Sequence, residues 1–374
     1  MKKIPYGKQW VDDKDIKEVD KILRGDWLTQ GPNVEKFEKA VAKYCKVKYA
    51  VAVSSGTAAL HSAYSVAGIK PGDEAIVTPL TFAATCNMLV FCGAKPVFVD
   101  IESDTLNINS EEIKNKITGK TKAIVTVDFA GHPCDYDKIK VIAEKNKLLI
   151  IEDACHALGA EYKNEKIGSF ADMTILSFHP VKHITTGEGG MVLTNNKTFY
   201  EKLKIFRNHG IIKKPEKGGW YYEIENPSFN YRIGDIQCAL GKSQLKKISG
   251  FLKRRRGIAL MYHKAFKNIT KIILPTEKEY ARSAWHLYPI GVQGIDRRKM
   301  FERLQKDGIG VQVHYMPLHL HPFYQKTFGY QKGDFPKAEE YYSRAISLPL
   351  FPKMTNKDIK RVIRSVKRAI IETT

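Results

Sequence analysis

Lys182 closes the stretch Ser177-Phe178-His179-Pro180-Val181-Lys182, and a glycine run, Gly187-Glu188-Gly189-Gly190, follows it. Thr174-Ile175-Leu176 before the lysine and Met191-Val192-Leu193-Thr194 after it read as short buried strands, which puts the lysine on the turn between them. A lysine in such a place is partly desolvated and holds its proton less tightly. The neutral amine can then attack a carbonyl and form a Schiff base. In a chain with 61 Lys and Arg the competing reading is an ordinary surface lysine. The groups that share its end of the fold decide between the two.

Two further features fall where strands end. Ser55-Gly56-Thr57 lies between a strand and a helix, where free N–H groups and the helix dipole favour a phosphate; a plain helix cap is the alternative. Asp153 ends the apolar run Leu148-Leu149-Ile150-Ile151, and a carboxylate leaving a buried strand is costly unless it meets a positive partner. A protonated pyridine nitrogen is such a partner. An anion cradle, a carboxylate for a ring nitrogen and a Schiff-base lysine are together the parts of a pyridoxal 5′-phosphate site. Phe82, opening a helix, is placed to stack on the ring, with core packing as its alternative. Ser177 is placed to add a hydroxyl to the phosphate, and His156 to bond the ring oxygen or to serve as a structural histidine.

The elements that must position these groups alternate along the chain. Helical apolar spacing covers 12–23 and 33–46, with Trp27 to Pro32 as the loop between them. Strands are expected at 49–53, 75–78, 96–100, 123–127 and 148–151, with helices between them at 58–67, from 81, and at 139–145. Such alternation implies a mostly parallel sheet covered by helices, whose ligands sit at the carboxyl ends of the strands. Beyond the lysine, a helix is expected over 197–207, an irregular segment over 211–228 and one or two helices over 234–268. The pattern changes near 285, with strands expected at 287–290 and 311–315 and helices near 298–306, 336–345 and 356–371. We expect a large α/β domain over 1–250 and a smaller α+β domain over 251–374.

Composition bounds the function classes. With 43% hydrophobic and 27% charged residues the chain is globular. No run of ~18 apolar residues argues for a membrane span, and no apolar core follows the basic N-terminus as an export signal would require. The six cysteines are scattered without a Cys-x-x-Cys pair, so neither a metal site nor a disulfide framework is expected and a cytoplasmic location is. The net charge of +21 raises nucleic-acid binding. Yet the basic residues are spread out and not interleaved with aromatics. A solvated face, or a field that attracts a small anionic substrate, is the expectation.

The ordered motifs resemble a known family, the sugar aminotransferases among the fold-type I pyridoxal-phosphate enzymes, also called the DegT/DnrJ/EryC1/StrS family. The resemblance is carried by Leu28-Thr29-Gln30-Gly31, Ser55 to Leu60, Pro79 to Thr85, Glu152 to Gly159, Ser177 to Lys182, Gly187 to Gly190, Asn208-His209-Gly210 and Phe229 to Arg232. It implies that Lys182 bears the cofactor, that Asp153 holds the ring nitrogen and His156 the ring hydroxyl, and that Gly56, Thr57 and Ser177 hold the phosphate, with Phe82 against the ring face. Many relatives carry Gln at the position of His156. The asparagine matching Asn230 reaches the phosphate of a neighbouring subunit in this family, which implies a homodimer with shared sites. Dehydratase members carry His where Lys182 stands, so transamination is implied.

Ser177 to Thr186 and Gly308 to Tyr315 look most like the branch that makes the 4-amino precursor of pseudaminic acid. Its members aminate a UDP-linked 4-keto-6-deoxy-N-acetylhexosamine with L-glutamate as donor. Two departures stand out: Met316-Pro317 replaces a common Lys after the His-Tyr pair, and Ser55-Gly56-Thr57 replaces Ser-Ala-Thr. Thr29, His314 and Tyr315 are expected in the substrate pocket. The alternatives are a different 3- or 4-aminating enzyme of nucleotide sugars, such as a perosamine-type enzyme, and a non-catalytic ligand- or polyanion-binding protein on the same fold.

Overall fold

A computed structural model describes residues 3–372. Met1 and Lys2 of the expected leaderless N-terminus, and the last two residues of the expected smaller domain, lie outside the described residues. Seven strands make the central sheet: β1 (Tyr49–Val53), β2 (Glu74–Val77), β3 (Lys95–Phe98), β4 (Thr121–Val127), β5 (Leu149–Asp153), β6 (Met173–Ser177) and β7 (Gly190–Thr194). Their spatial order is β1-β7-β6-β5-β4-β2-β3. The run from β6 to β3 is parallel, and β7 lies antiparallel to both of its neighbours. This is the mostly parallel α/β sheet expected of a fold-type I transferase.

Side chains alternate across the strands, so each strand feeds two cores. Ile124, Ile150, Leu176 and Met191 face the helices Pro32–Cys45 and Tyr136–Asn146. Val125, Ile151, Ile175 and Val192 face the helices Gly56–Val66 and Ala83–Phe91. With both faces covered, the strands carry continuous apolar runs, which is why they were legible without strict alternation.

A third core gathers Ile258, Tyr262, Tyr288, Ile290, Leu304, Ile346 and Val366. It is built from three antiparallel strands, Ile272–Ile273, Tyr288–Val292 and Ala345–Leu348, and from the helices Ile248–Phe266, Arg297–Lys306 and Asn356–Glu372. The proposed division at 250/251 falls inside the helix Ile248–Phe266. Leu318, Tyr324, Phe335 and Tyr341 return from the carboxy-terminal part to the second core of the large sheet. Among the described residues no helix is long and apolar enough to cross a membrane.

Three local expectations change. The 311–315 segment is no strand. Only Gln312 pairs, with Ser347, because the chain leaves the small sheet there for the mouth of the cavity described below. Ala345–Leu348 is a strand directly after the helix Pro336–Arg344, and its four buried residues lack the alternation that marks an exposed strand. The segment 211–228 contains a small antiparallel pair, Ile211–Lys213 with Tyr222–Ile224.

Candidate active site

A cavity of about 540 Å³ opens at the carboxyl ends of β1, β2, β4, β5 and β6. Its walls include Gly56, Thr57, Phe82, Asp153, His156, Ser177, Lys182, His314 and Tyr315. Residues from across the whole chain therefore share one space, as the rule for open α/β sheets anticipates.

The lysine turn is fixed by Phe178. Its ring is fully buried 5.2 Å from Phe37, its N–H donates to Gly189 O at 2.9 Å, and its carbonyl accepts from Thr186 N and the Thr185 hydroxyl, each at 3.0 Å. The turn between them is closed by Lys182 N–H donating to His179 O at 2.9 Å. Lys182 itself is partly buried on the cavity wall. Burial lowers the pKa of its amine, Cys155 and Asp153 oppose this, and the Arg255 charge adds to it.

The anion cradle follows from packing as much as from capping. Ser55 caps the helix Gly56–Val66, its hydroxyl accepting from Ala58 N at 3.1 Å. The first-turn N–H groups after it have no carbonyl within the helix to meet. A Cβ at Gly56 would stand 3.1 Å from Ser177 Cβ, inside the cradle, and one at Gly190 would stand 2.2 Å from Ser55 O. Only glycine lets β7 start that close to the cap.

Asp153 is buried at the cavity floor. One oxygen accepts from the Thr85 hydroxyl at 2.7 Å and the other from Cys155 N at 3.2 Å. Thr81 Oγ1 lies 2.8 Å from Thr85 Oγ1 and extends the chain. His156 is buried, with Tyr315 OH 3.3 Å from its Nε2 and its Nδ1 without a partner. Burial, and then the Lys182 charge, lower its pKa, so the ring is neutral. Phe82 leaves 58% of its surface open at the rim, 5.9 Å from the Tyr315 ring.

These features fit pyridoxal phosphate: a phosphate cradle, a carboxylate with lone pairs to spare, an aromatic face left open, a buried histidine nitrogen without a partner, and an amine with lowered proton affinity. Two expected residues lie elsewhere. Thr29 is exposed and bridges Gly234, and Asn230 is exposed beside Asn208, its side chain accepting from Arg232 N at 3.3 Å. Neither lines this cavity.

Several wall residues carry no signal that sequence reading could use. Tyr6 arrives from the amino terminus, and His286, whose ring centroid is 4.3 Å from that of His156, arrives from the carboxy-terminal part. Thr85 could have been found: it lies in the first turn of the helix Ala83–Phe91, four residues after Thr81, whose hydroxyl it meets at 2.8 Å.

Spore coat polysaccharide biosynthesis protein SpsC of Bacillus subtilis is 42% identical, across 97% of this chain and 96% of its own. The UDP-4-amino-4,6-dideoxy-N-acetyl-beta-L-altrosamine transaminase of Campylobacter jejuni serotype O:23/36 is 41% identical, across 96% and 95%. Among solved structures, Helicobacter pylori PseC, an aminotransferase of pseudaminic acid biosynthesis, superposes with a TM-score of 0.94 at 35% identity, covering 99% of this chain and 100% of its own. Residues 9–367 match the DegT/DnrJ/EryC1/StrS aminotransferase family, and the chain belongs to it.

Proposed function

We propose that the chain transfers the amino group of L-glutamate to the C4 ketone of a UDP-linked 4-keto-6-deoxy-N-acetylhexosamine. The observation that carries the reaction type is the meeting of Lys182, Asp153 and the Gly56–Thr57 cradle in one cavity. The sugar is carried by the transaminase from C. jejuni and by PseC, at 41% and 35% identity over nearly the whole chain.

Bound pyridoxal phosphate supplies a ring that accepts the electron pair left when an amino acid loses its Cα proton. Lys182 Nζ would hold the cofactor and, as a free amine, would carry a proton away from Cα of the donor and, in the second half-reaction, toward C4 of the sugar. Burial lowers the amine's pKa and so eases the loss of its own proton. Asp153 holds the ring nitrogen in its protonated form, and the bond from Thr85 keeps the carboxylate aimed. The helix start at Gly56 and Thr57, with the Ser177 hydroxyl, binds the phosphate. His156 bonds the ring hydroxyl, and Phe82 covers a ring face and excludes water.

His314 and Tyr315 contact the sugar nucleotide, and Thr29 does so from outside the cavity walls of its own chain. Asn230, exposed and outside its own cavity, reaches the phosphate of a partner subunit in a homodimer. The net positive field favours the diphosphate, and the enzyme works in the cytoplasm.

The absorption spectrum of the purified protein, before and after L-glutamate, tests the reaction. A band near ~420 nm that moves toward ~330 nm on adding glutamate is expected. No band after supplying cofactor would remove the aminotransferase reading. NMR of the product from defined UDP-linked keto-sugars then tests the substrate; amination at C3, or no product from the 4-keto sugar, would replace it with another nucleotide sugar.

A further inference from the structure

Among the described residues Arg255, on the helix Ile248–Phe266, is the largest fully buried side chain, 1% exposed, and it pairs with no carboxylate. Instead it binds carbonyls. Nη1 donates toward Trp285 O and His286 O at 3.2 Å each and Leu350 O at 3.1 Å, and Nη2 toward Val181 O at 3.4 Å. Val181 immediately precedes Lys182, and His286 is the cavity residue whose ring lies tilted beside that of His156. A second bond sews the same seam, His183 Nε2 to Ala284 O at 3.1 Å.

An apolar chain of similar length would fill this space without burying a charge. It could not gather four carbonyls from three segments; a planar guanidinium with five donors can. We propose that Arg255 is a positioning residue for Lys182, tying the carbonyl before the lysine to the carboxy-terminal segments and so fixing the amine in the cavity. This rests on Lys182 as the residue that bears the cofactor.

Arg255 also sets the charge around the amine. The groups facing Lys182 are Asp153, Cys155, His156, His183, His286 and His314, with Arg255 behind. Burial keeps all four histidines neutral near pH 7 and pushes the Cys155 thiol up. Among the groups that act on the amine, Cys155 and Asp153 raise its pKa and Arg255 lowers it. Burial lowers the Arg255 pKa to about 9, so it stays charged at neutral pH.

The test uses the full chain, freed of cofactor and reloaded with pyridoxal phosphate. It follows the rate of attachment against pH by absorbance, with borohydride fixation and peptide mapping to identify the residue. Arg255→Lys keeps the charge and loses the fork. We expect attachment at Lys182 slowed about 10-fold or more, with the pH midpoint within ~0.3 of the parent. Arg255→Met loses both, and the midpoint should also rise. Circular dichroism and thermal melting check the fold of each. Attachment at the parent rate in folded Arg255→Lys would overturn the proposal, even if Arg255→Met does not fold. Fixation of the parent protein at a residue other than Lys182 would overturn the underlying reading, and this proposal with it.

Discussion

Glu152 and Asp153 are neighbours on β5, yet they face opposite sides of the sheet and live under different rules. Glu152 points into the first core, fully buried, and accepts from Tyr136 OH at 2.7 Å and from the Thr174 hydroxyl. Tyr136 OH also stands 2.8 Å from Asp128 Oδ1, which accepts from Cys134 N at 2.9 Å. Burial and the nearby Glu152 raise the Asp128 pKa well above the usual carboxylate range, which favours a proton shared within this pair. Asp153 has two donors, and its face opens on the cavity. One acid is consumed by structure; the other keeps capacity for a ligand. A single step in register decides which.

The comparison makes opposite predictions for the two faces. On the cavity side, Lys182→Ala should lower turnover by at least about 10⁴-fold, because it removes both the attachment point and the base. Its melting curve should match the parent, since the side chain already borders open space. Asp153→Asn should lower kcat by about 10²-fold or more with little change in unfolding free energy. On the core side, Tyr136→Phe should do the reverse. It removes the hydroxyl between two buried carboxyls and should cost about 2 kcal/mol in denaturant unfolding, with turnover within a few-fold of the parent at 25 °C. Strong loss of activity in a stable Tyr136→Phe protein would mean that the two faces are coupled after all.

His132 extends the contrast to pH. It is buried away from the cavity, its Nδ1 bonding Pro133 O at 2.8 Å and its Nε2 accepting from Lys278 N at 3.1 Å. Only the neutral ring can donate through one nitrogen and accept through the other. Burial pushes its pKa from 6.5 down to about 4. A folded-state pKa below the unfolded value means that the unfolded chain binds more protons between those limits. The stabilisation is therefore complete above about pH 6.5 and is lost as pH falls toward 4. His132→Gln should flatten the fall in stability between pH 7 and pH 5, measured by urea unfolding. His314, pushed to about 4 as well, keeps a residual slope in that variant. An unchanged slope would show that His132 is already free to protonate in the folded state.

The parallel sheet was legible because strands covered on both faces carry plain apolar runs, as in Leu149–Ile151 and Met191–Leu193. Asp153 was expected because it ends such a run, and Lys182 because it lies on the turn that follows one, which is where an α/β sheet places its ligands. Tyr6, His286 and Arg255 were not. Their roles come from contacts made across more than a hundred residues or by backbone carbonyls, and a carbonyl leaves no mark on residue type. The 311–315 segment misled for a related reason. Val311, Val313 and Tyr315 alternate as a strand does, but Val311 packs into the third core, Val313 and Tyr315 line the cavity, and His314 O accepts from Tyr341 OH, so no ladder extends beyond Gln312.

Phe82 gives the smallest and most selective test of the division between open and closed faces. A phenylalanine in the core loses stability when truncated because its contacts are with protein; Phe82 has 58% of its surface open and packs only loosely on Tyr315. Phe82→Ala should therefore leave the melting temperature of the cofactor-free chain unchanged. Its partner on the proposed reading is the cofactor ring, and an aromatic face contributes about 1 kcal/mol beyond burial. That converts to about a 5-fold rise in the dissociation constant of pyridoxal phosphate, measured by fluorescence titration of the cofactor-free chain. Phe82→Tyr keeps the face and should bind as the parent does. A variant that melts lower but binds cofactor normally would move Phe82 from the site to the scaffold.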